Sequence, residues 1–254
     1  MPNLSAHLGI AEQVISQLDH PILNRYPGSC LLGSVSPDIR IITKTKRDET
    51  HFVTLDFDQV GQGLKGLFKN HPELSDSSQL NEATSSFIIG YACHLFADES
   101  WIVNMYRPFF GNREVIQDKL EADLMDRALQ LYLDSEEHAR LGGTISLKDH
   151  FVGADNGVNV GFITEEKLAE WCQWIQGALA WEFDWERLRF MSRRVDTKGD
   201  KELEKHLAEM VDTFLASVPN GLDRIYSFVP KKNIEEFRYN CVQNVMNFAG
   251  EYLN

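Results

Sequence analysis

His94 and Asp98 are the two side chains whose spacing points most directly to chemistry. They lie within the segment Gly90–Trp101. On an α-helix, residues four apart lie only about 40° apart around the axis and one turn along, so both side chains can reach one metal ion. Their neighbours are largely apolar, and an ionised carboxylate buried there is costly unless it is paired or coordinated. The pair therefore predicts either a metal site or a His–Asp hydrogen bond in the core.

Three other positions add metal-binding chemistry. His7 lies in the first segment with apolar periodicity, Asp38 follows a Ser-Pro dipeptide, and His51 follows an acidic stretch. Taken singly, these residues have simpler interpretations as a core histidine, a turn residue and an exposed histidine. Together with His94 and Asp98 they provide the mixture of imidazole and carboxylate that suits zinc or a similar divalent ion.

The elements that must position these residues are helices, because apolar residues recur at three- and four-residue steps along most of the chain. Helices are predicted over residues 5–18, 26–35, 54–70, 81–105, 115–133, 165–181, 185–194, 201–218 and 234–253. Loops are expected over 44–50 and 142–161, where polar residues or glycines interrupt the pattern. We expect one all-α domain over 1–254, with the metal-site core in 1–135 and a helical C-terminal part, 160–254, packed on it.

Composition and charge exclude several classes of protein. The chain has 254 residues, of which 43% are hydrophobic and 25% charged, as is typical of globular proteins. No stretch approaches the ~20 apolar residues of a transmembrane helix. The four cysteines have no paired spacing and no secretory signal pattern is seen, so we expect reduced thiols in a cytoplasmic protein. The net charge of −13 disfavours nucleic acid as a partner, and a phosphate-bearing substrate would need a local cation.

Four blocks of the sequence occur in an order that resembles the zinc-dependent phospholipase C superfamily. These blocks are Ser5–Leu8, Gly33–Asp38, Glu49–Phe52 and Gly90–Trp101. Within that superfamily, they are most similar to the catalytic domain of glycosylphosphatidylinositol-specific phospholipase D and to uncharacterised bacterial relatives. The resemblance covers roughly the first 130 residues, and nothing from Glu165 onward is recognised. It implies a multi-helix bundle of the phospholipase C/P1 nuclease type.

The resemblance also implies roles for individual residues. The shared metal site would consist of Asp38, His51, His94 and Asp98. His7 would help to hold a second ion, with Asp98 bridging the two. One or two zinc ions, or another divalent metal, would activate a water for hydrolysis of a phosphodiester or phospholipid head group. Asp38 or Asp48 would accept a proton or orient that water. The implied enzyme is a zinc-dependent phosphoric diester hydrolase.

The sequence departs from the family pattern in a further site, which secreted phospholipases C build from two histidines and a glutamate. The corresponding region here contains acids but no histidine. Its acids Glu121, Asp123 and Asp126 could complete a site with oxygen ligands, or they could form a solvated helix face. The alternative function is therefore a non-catalytic helical protein that keeps the fold for metal binding or interaction. Aromatic residues of the C-terminal part favour helix packing or a protein interface, which leaves a homo-oligomer open.

Overall fold

All regular elements that the structure describes are helical, as predicted. The fold is that of a computed structural model, which describes residues 2–141, 144–218 and 220–253. Its α-helices are Leu4–Leu18 (α1), Pro21–Arg25 (α2), Pro27–Val35 (α3), Arg40–Thr43 (α4), Arg47–His51 (α5), Gln62–Asn70 (α6), Glu82–Ser100 (α7), Lys119–Arg140 (α8), Glu165–Ala178 (α9), Arg187–Ser192 (α10), Lys201–Ser217 (α11), Leu222–Phe228 (α12) and Lys231–Tyr252 (α13). Short 3-10 segments lie at Ser36–Ile39, Pro72–Leu74, Ser77–Gln79 and Thr144–Phe151. A π-helical segment, Trp101–Phe110, continues α7.

Helix α7 is the centre of the fold. Its N-terminus is capped by Asn81, whose side-chain oxygen accepts a hydrogen bond of 2.8 Å from the backbone N–H of Thr84. Nearly all of its residues are buried, so it has no polar face, which is the pattern of a helix surrounded by others. Helices α1, α3, α6 and α13 pack around it. A side chain on any face of α7 therefore meets another helix.

Helices α3 and α7 touch backbone to backbone. A Cβ atom on Gly90 would lie 1.8 Å from the carbonyl oxygen of Cys30, and one on Gly33 would lie 2.1 Å from a carbonyl oxygen of α7. Neither space admits any residue larger than glycine unless the helices separate. This close approach brings the carbonyl group of Ser34 against the ring of His94.

The helix predicted over 54–70 begins only at Gln62, so that prediction was wrong for its first half. Gly61 has a φ of +97°, in the left-handed region that favours glycine, and it turns the chain into α6. The helix predicted over 81–105 changes at Trp101 to the wider π pattern. Its end is marked by a hydrogen bond from the N–H of Gly111 to the carbonyl of Tyr106, which lies five residues earlier.

The two predicted loops are partly helical. The segment 44–50 contains the start of α5, and 142–161 contains the 3-10 segment that begins at Thr144. Residues 142 and 143 lie outside the described part of the chain. Both helical pieces are too short to show a repeated apolar pattern, so periodicity could not reveal them.

The C-terminal part of the chain packs on the N-terminal part. Helix α13 lies against α7 and α1, while α10, α11 and α12 lie against α8. Two aromatic residues of α9 are stacked on each other, Trp171 and Trp174, with ring centroids 4.9 Å apart. In the described residues, no helix combines the length and apolar character that a membrane crossing requires.

Candidate metal centre

Five of the side chains singled out in the sequence meet on one side of α7. They are His7 from α1, Asp38 from the 3-10 segment after α3, His51 from α5, and His94 and Asp98 from α7. In two overlapping groups, the potential ligand atoms all lie within 4.8 Å of one another: His7, His94 and Asp98 form one group, and Asp38, His51 and His94 form the other. Each group has the size of a site for one ion, and His94 belongs to both.

The carboxylate of Asp98 lies among the three histidine rings. Its Oδ2 atom is 3.2 Å from Nε2 of His51 and 3.6 Å from Nε2 of His94. Its Oδ1 atom is 3.6 Å from Nε2 of His7. The rings of His7 and His94 are stacked, with centroids 3.8 Å apart and planes inclined by 9°. Asp98 therefore contacts all three imidazoles at once.

Backbone carbonyl groups orient two of the histidines. Nδ1 of His94 lies 2.9 Å from the carbonyl oxygen of Ser34, and Nδ1 of His51 lies 3.2 Å from that of Arg47. A carbonyl oxygen can only accept, so we assign the ring proton to Nδ1 in both residues. Their Nε2 lone pairs then face the Asp98 carboxylate, and acceptors that face each other need a positive charge between them. This is how outer hydrogen bonds prepare histidines to bind a metal.

Burial makes this arrangement costly without a cation. His7, His51 and His94 are 2%, 1% and 0% exposed. In the described part of the chain, their Nε2 atoms and Oδ1 of Asp98 have no hydrogen-bond partner. A buried polar atom left without a partner costs about 1–3 kcal/mol. The donor set of three imidazoles and two carboxylates fits zinc, and metal bound in the two ligand groups would give these atoms partners.

The protonation states agree with metal binding. Burial and the neighbouring His94 lower the pKa of His7 well below its usual value, and burial lowers that of His51. Burial also acts to lower the pKa of His94, but the charge and hydrogen bonding of Asp98, together with smaller effects of Asp38 and the Ser34 carbonyl, raise it. Although burial would raise the pKa of Asp98, His94 and His51 hold it well below its usual range. Neutral rings of His7 and His51 and an ionised Asp98 carboxylate are thus favoured, and these are the forms that bind a metal ion.

Comparison with known families agrees with this geometry. Residues 6–130 match the family model described as zinc dependent phospholipase C. The match includes all five side chains of the centre. This part of the chain belongs to the zinc-dependent phospholipase C family. Neither the curated proteins nor the solved structures gave a significant match.

The other acids predicted for the metal centre lie elsewhere. Asp48 is exposed on α5 and lines an open groove with Lys65 and Lys69 of α6. The three acids of α8 are held by other partners: Glu121 by Arg224 Nε at 2.9 Å, Asp123 by Lys119 Nζ at 2.7 Å, and Asp126 by Trp101 Nε1 at 2.9 Å. The structure brings none of these acids into either ligand group, and the three acids of α8 bond to other residues instead.

The sequence analysis missed two residues at this centre. The guanidinium group of Arg47 contacts Asp98, with Nη2 lying 3.2 Å from Oδ2. Glu99 is buried beside Asp98, and its carboxylate accepts hydrogen bonds from the backbone N–H groups of residues 61–63. A signal existed for each residue. Arg47 precedes His51 by one helical turn, and Glu99 is an acid next to Asp98 in a mostly buried helix.

Proposed function

We propose that this chain is a zinc-dependent phosphoric diester hydrolase that acts on a phosphodiester such as a phospholipid head group. The observation that carries the proposal is the set of inward-facing ligand atoms that lack protein partners: Nε2 of His7, His51 and His94, and Oδ1 of Asp98. The family of residues 6–130 supports the same reaction class. With a net charge of −13, the chain needs a local cation to hold a phosphate group, and these atoms would bind one.

In this proposal, protein side chains hold the metal ion, backbone carbonyl groups orient the histidine rings, and a carboxylate accepts a proton. A bound zinc ion supplies Lewis acidity and lowers the pKa of a water molecule. The carbonyl groups of Ser34 and Arg47 keep the Nε2 atoms of His94 and His51 directed inward. Asp38 would accept a proton from the attacking water as its oxygen bonds to phosphorus, and would return that proton to the leaving oxygen as the bond from that oxygen to phosphorus breaks. Asp38 is favoured over Asp48 because it belongs to a ligand group, whereas Asp48 is exposed away from it.

Access to the centre is expected from the side of Asp38 and Arg47. The three histidines and Asp98 are almost fully buried, whereas Asp38 is half-buried and the Arg47 side chain is 15% exposed. We therefore propose that substrate approaches from the side of these two less buried residues. Such a site excludes most water, which strengthens the electrostatic interactions within it.

The near-complete burial of the ligands also favours a second candidate function. A structural metal site is closed by protein ligands, whereas a catalytic site keeps a position open for water and substrate. In addition, the structure does not bring the α8 acids to the centre, so no ligands for a further ion come from there. The second candidate is a non-catalytic helical protein in which the metal stabilises the fold or a partner surface.

Metal content and turnover, measured on the same preparations, separate the two functions. We expect zinc in the purified protein by elemental analysis, and zinc-dependent hydrolysis of a chromogenic phosphodiester. His94→Ala should lower both metal affinity and turnover by more than about a hundredfold, since the ring faces both ligand groups. His206→Ala is the matched control, because His206 is exposed on α11.

Three possible results of the metal and turnover measurements lead to different conclusions. A zinc-loaded, folded protein that turns over no phosphomonoester or phosphodiester would support the structural role. A protein that retains no metal and whose stability is unaffected by a chelator would contradict both candidates. Loss of turnover in His206→Ala to the same extent as in His94→Ala would show that the assay reports general damage to the fold.

A further inference from the structure

We propose that the Arg47 guanidinium binds the phosphoryl group of the substrate and acts as a fixed cation beside the metal. This inference rests on the proposed function and adds a substrate-binding residue to it. It starts from position: Nη2 of Arg47 is 3.2 Å from Oδ2 of Asp98, the carboxylate that contacts all three histidines. The Arg47 side chain is 15% exposed while that of Asp98 is 2% exposed. The Arg47 side chain is therefore less deeply buried than the carboxylate that it contacts.

Helix α5 fixes this position from two sides. Arg47 begins the helix, and its carbonyl oxygen accepts the hydrogen bond from Nδ1 of His51, one turn later. At the other end of α5, the hydroxyl of the buried Tyr91 donates to the carbonyl of Thr50, which attaches the helix to α7. The backbone of Arg47 thus orients one metal ligand while its side chain contacts another. A phosphate-binding group held in this way loses little conformational entropy when substrate binds.

One divalent metal ion would not balance all the negative charge at the site once a phosphodiester binds, and Arg47 could balance the remainder. The two carboxylates of the ligand groups, Asp38 and Asp98, carry two negative charges, which one divalent ion neutralises. A phosphodiester brings one further negative charge into a chain whose net charge is already −13. Arg47 supplies the matching positive charge beside Asp98. A guanidinium group also presents paired N–H donors, so it can bind phosphate oxygens while it still contacts Asp98.

The bonding of the α8 acids also supports Arg47, rather than a further metal ion, as the source of the additional positive charge. An additional metal ion on that side would need Glu121, Asp123 or Asp126, and these carboxylates bond to other residues. Arg47 instead offers the positive charge of its guanidinium group, which needs no ligands of its own. The positive charge that stabilises the transition state would then be shared between a metal ion and this side chain.

The test uses three variants of the full chain loaded with zinc. Arg47→Ala removes the charge, Arg47→Lys keeps the charge but not the planar fork, and Arg25→Ala removes an equivalent charge from an exposed ion pair with Glu82. Zinc content is measured first, by elemental analysis. The affinity for inorganic phosphate is then measured by titration calorimetry. We expect about ten- to hundredfold weaker phosphate binding in Arg47→Ala, a smaller loss in Arg47→Lys, and no change in Arg25→Ala.

A second readout is chemical rescue. Guanidinium ion, added below denaturing concentrations, should restore part of the turnover of Arg47→Ala and none in the other variants, because only the first leaves a space of the right shape. Unchanged phosphate affinity in Arg47→Ala would overturn the proposal. So would a parallel loss of zinc in both Arg47 variants, since the arginine would then act on the metal ligands.

The experiments distinguish failure of the proposed hydrolase function from failure of the proposal about Arg47. If wild-type protein binds phosphate through Arg47 but hydrolyses no diester, the proposed hydrolase function is wrong. The proposal that Arg47 binds phosphate would still hold. If the zinc-loaded wild type binds no phosphate at all, the inference about Arg47 is wrong, whatever the protein hydrolyses.

Discussion

At the scale of single residues, Glu99 shows that a buried acid beside the metal centre can serve structure alone. It is 1% exposed, and its carboxylate accepts three backbone N–H groups at the start of α6, including that of Gln62 at 2.9 Å. Burial raises the pKa of this carboxyl group, and the three N–H groups counteract that penalty. They are the donors that a helix start leaves without intrahelical partners, and they favour negative charge.

We therefore predict that Glu99→Gln destabilises the protein although it keeps the size of the side chain. The amide turns one acceptor oxygen into a donor that faces N–H groups, and we expect a loss of about 1–3 kcal/mol in the free energy of unfolding. Urea denaturation followed by circular dichroism measures this loss. Glu235→Gln, on the exposed face of α13, is the control and should change the midpoint little. Equal midpoints for both variants would contradict the capping role.

The sequence could predict the positions of the metal ligands to different degrees, and it could not predict the roles of Arg47 and Glu99. The proximity of His94 and Asp98 follows from helix geometry alone, so their spacing in the sequence was enough to predict it. His7, Asp38 and His51 come from distant elements, and their interpretation depended on the family resemblance. The roles of Arg47 and Glu99 arise only when α5 and α6 pack against α7. Local sequence carries no information about that packing.

At the scale of elements, the contact between α3 and α7 holds the site together. We predict that Gly90→Ala, which changes no ligand, weakens both folding and zinc binding. The new Cβ atom would lie 1.8 Å from the Cys30 carbonyl oxygen, so the helices must move apart. That movement lengthens the hydrogen bond from His94 to Ser34, now 2.9 Å. Overpacking of this kind costs about 1–3 kcal/mol, and loss of an outer-shell partner weakens metal affinity about 10–100-fold.

Thermal unfolding and competition with a zinc chelator measure the two effects of Gly90→Ala. Gly177→Ala is a matched control in α9, because a Cβ atom there has no atom within 4 Å. It should stabilise the protein by about 0.4–1 kcal/mol through helix propensity and leave zinc affinity unchanged. If Gly90→Ala behaved like Gly177→Ala, the close helix contact would not control the metal centre.

Element boundaries show where sequence patterns lose information. Apolar periodicity predicted the long helices α1, α7, α11 and α13, since each repeats its pattern over several turns. It missed the change to π geometry at Trp101, because the apolar residues continue through it. It also placed the start of α6 too early. That start depends on the left-handed turn at Gly61 and on a carboxylate from another helix, neither of which has an apolar period.

At the scale of the whole molecule, a bound ion would join elements that are far apart in sequence. The ligand groups connect α1, α5, α7 and the segment after α3. We predict that zinc raises the unfolding temperature and that a chelator lowers it. An ion that binds only the native state stabilises it by about 2.7 kcal/mol at a hundred times its dissociation constant. Scanning calorimetry with and without zinc measures the shift, which should be abolished in His94→Ala. A shift of the same size in that variant would place zinc binding elsewhere on the chain.

The net charge of −13 should also govern how the proposed enzyme meets its substrate. A surface of this charge repels anionic vesicles at long range, and salt screens the repulsion because the Debye length falls to about 10 Å at 0.1 M. We predict that hydrolysis of phospholipid in anionic vesicles becomes faster as salt is raised from low ionic strength. Hydrolysis of a short-chain zwitterionic substrate should change much less, because binding to the local centre involves little long-range repulsion. Initial rates in matched salt series measure the difference. If salt slowed hydrolysis of the anionic vesicles, an attractive basic surface would have to outweigh the overall charge of the molecule.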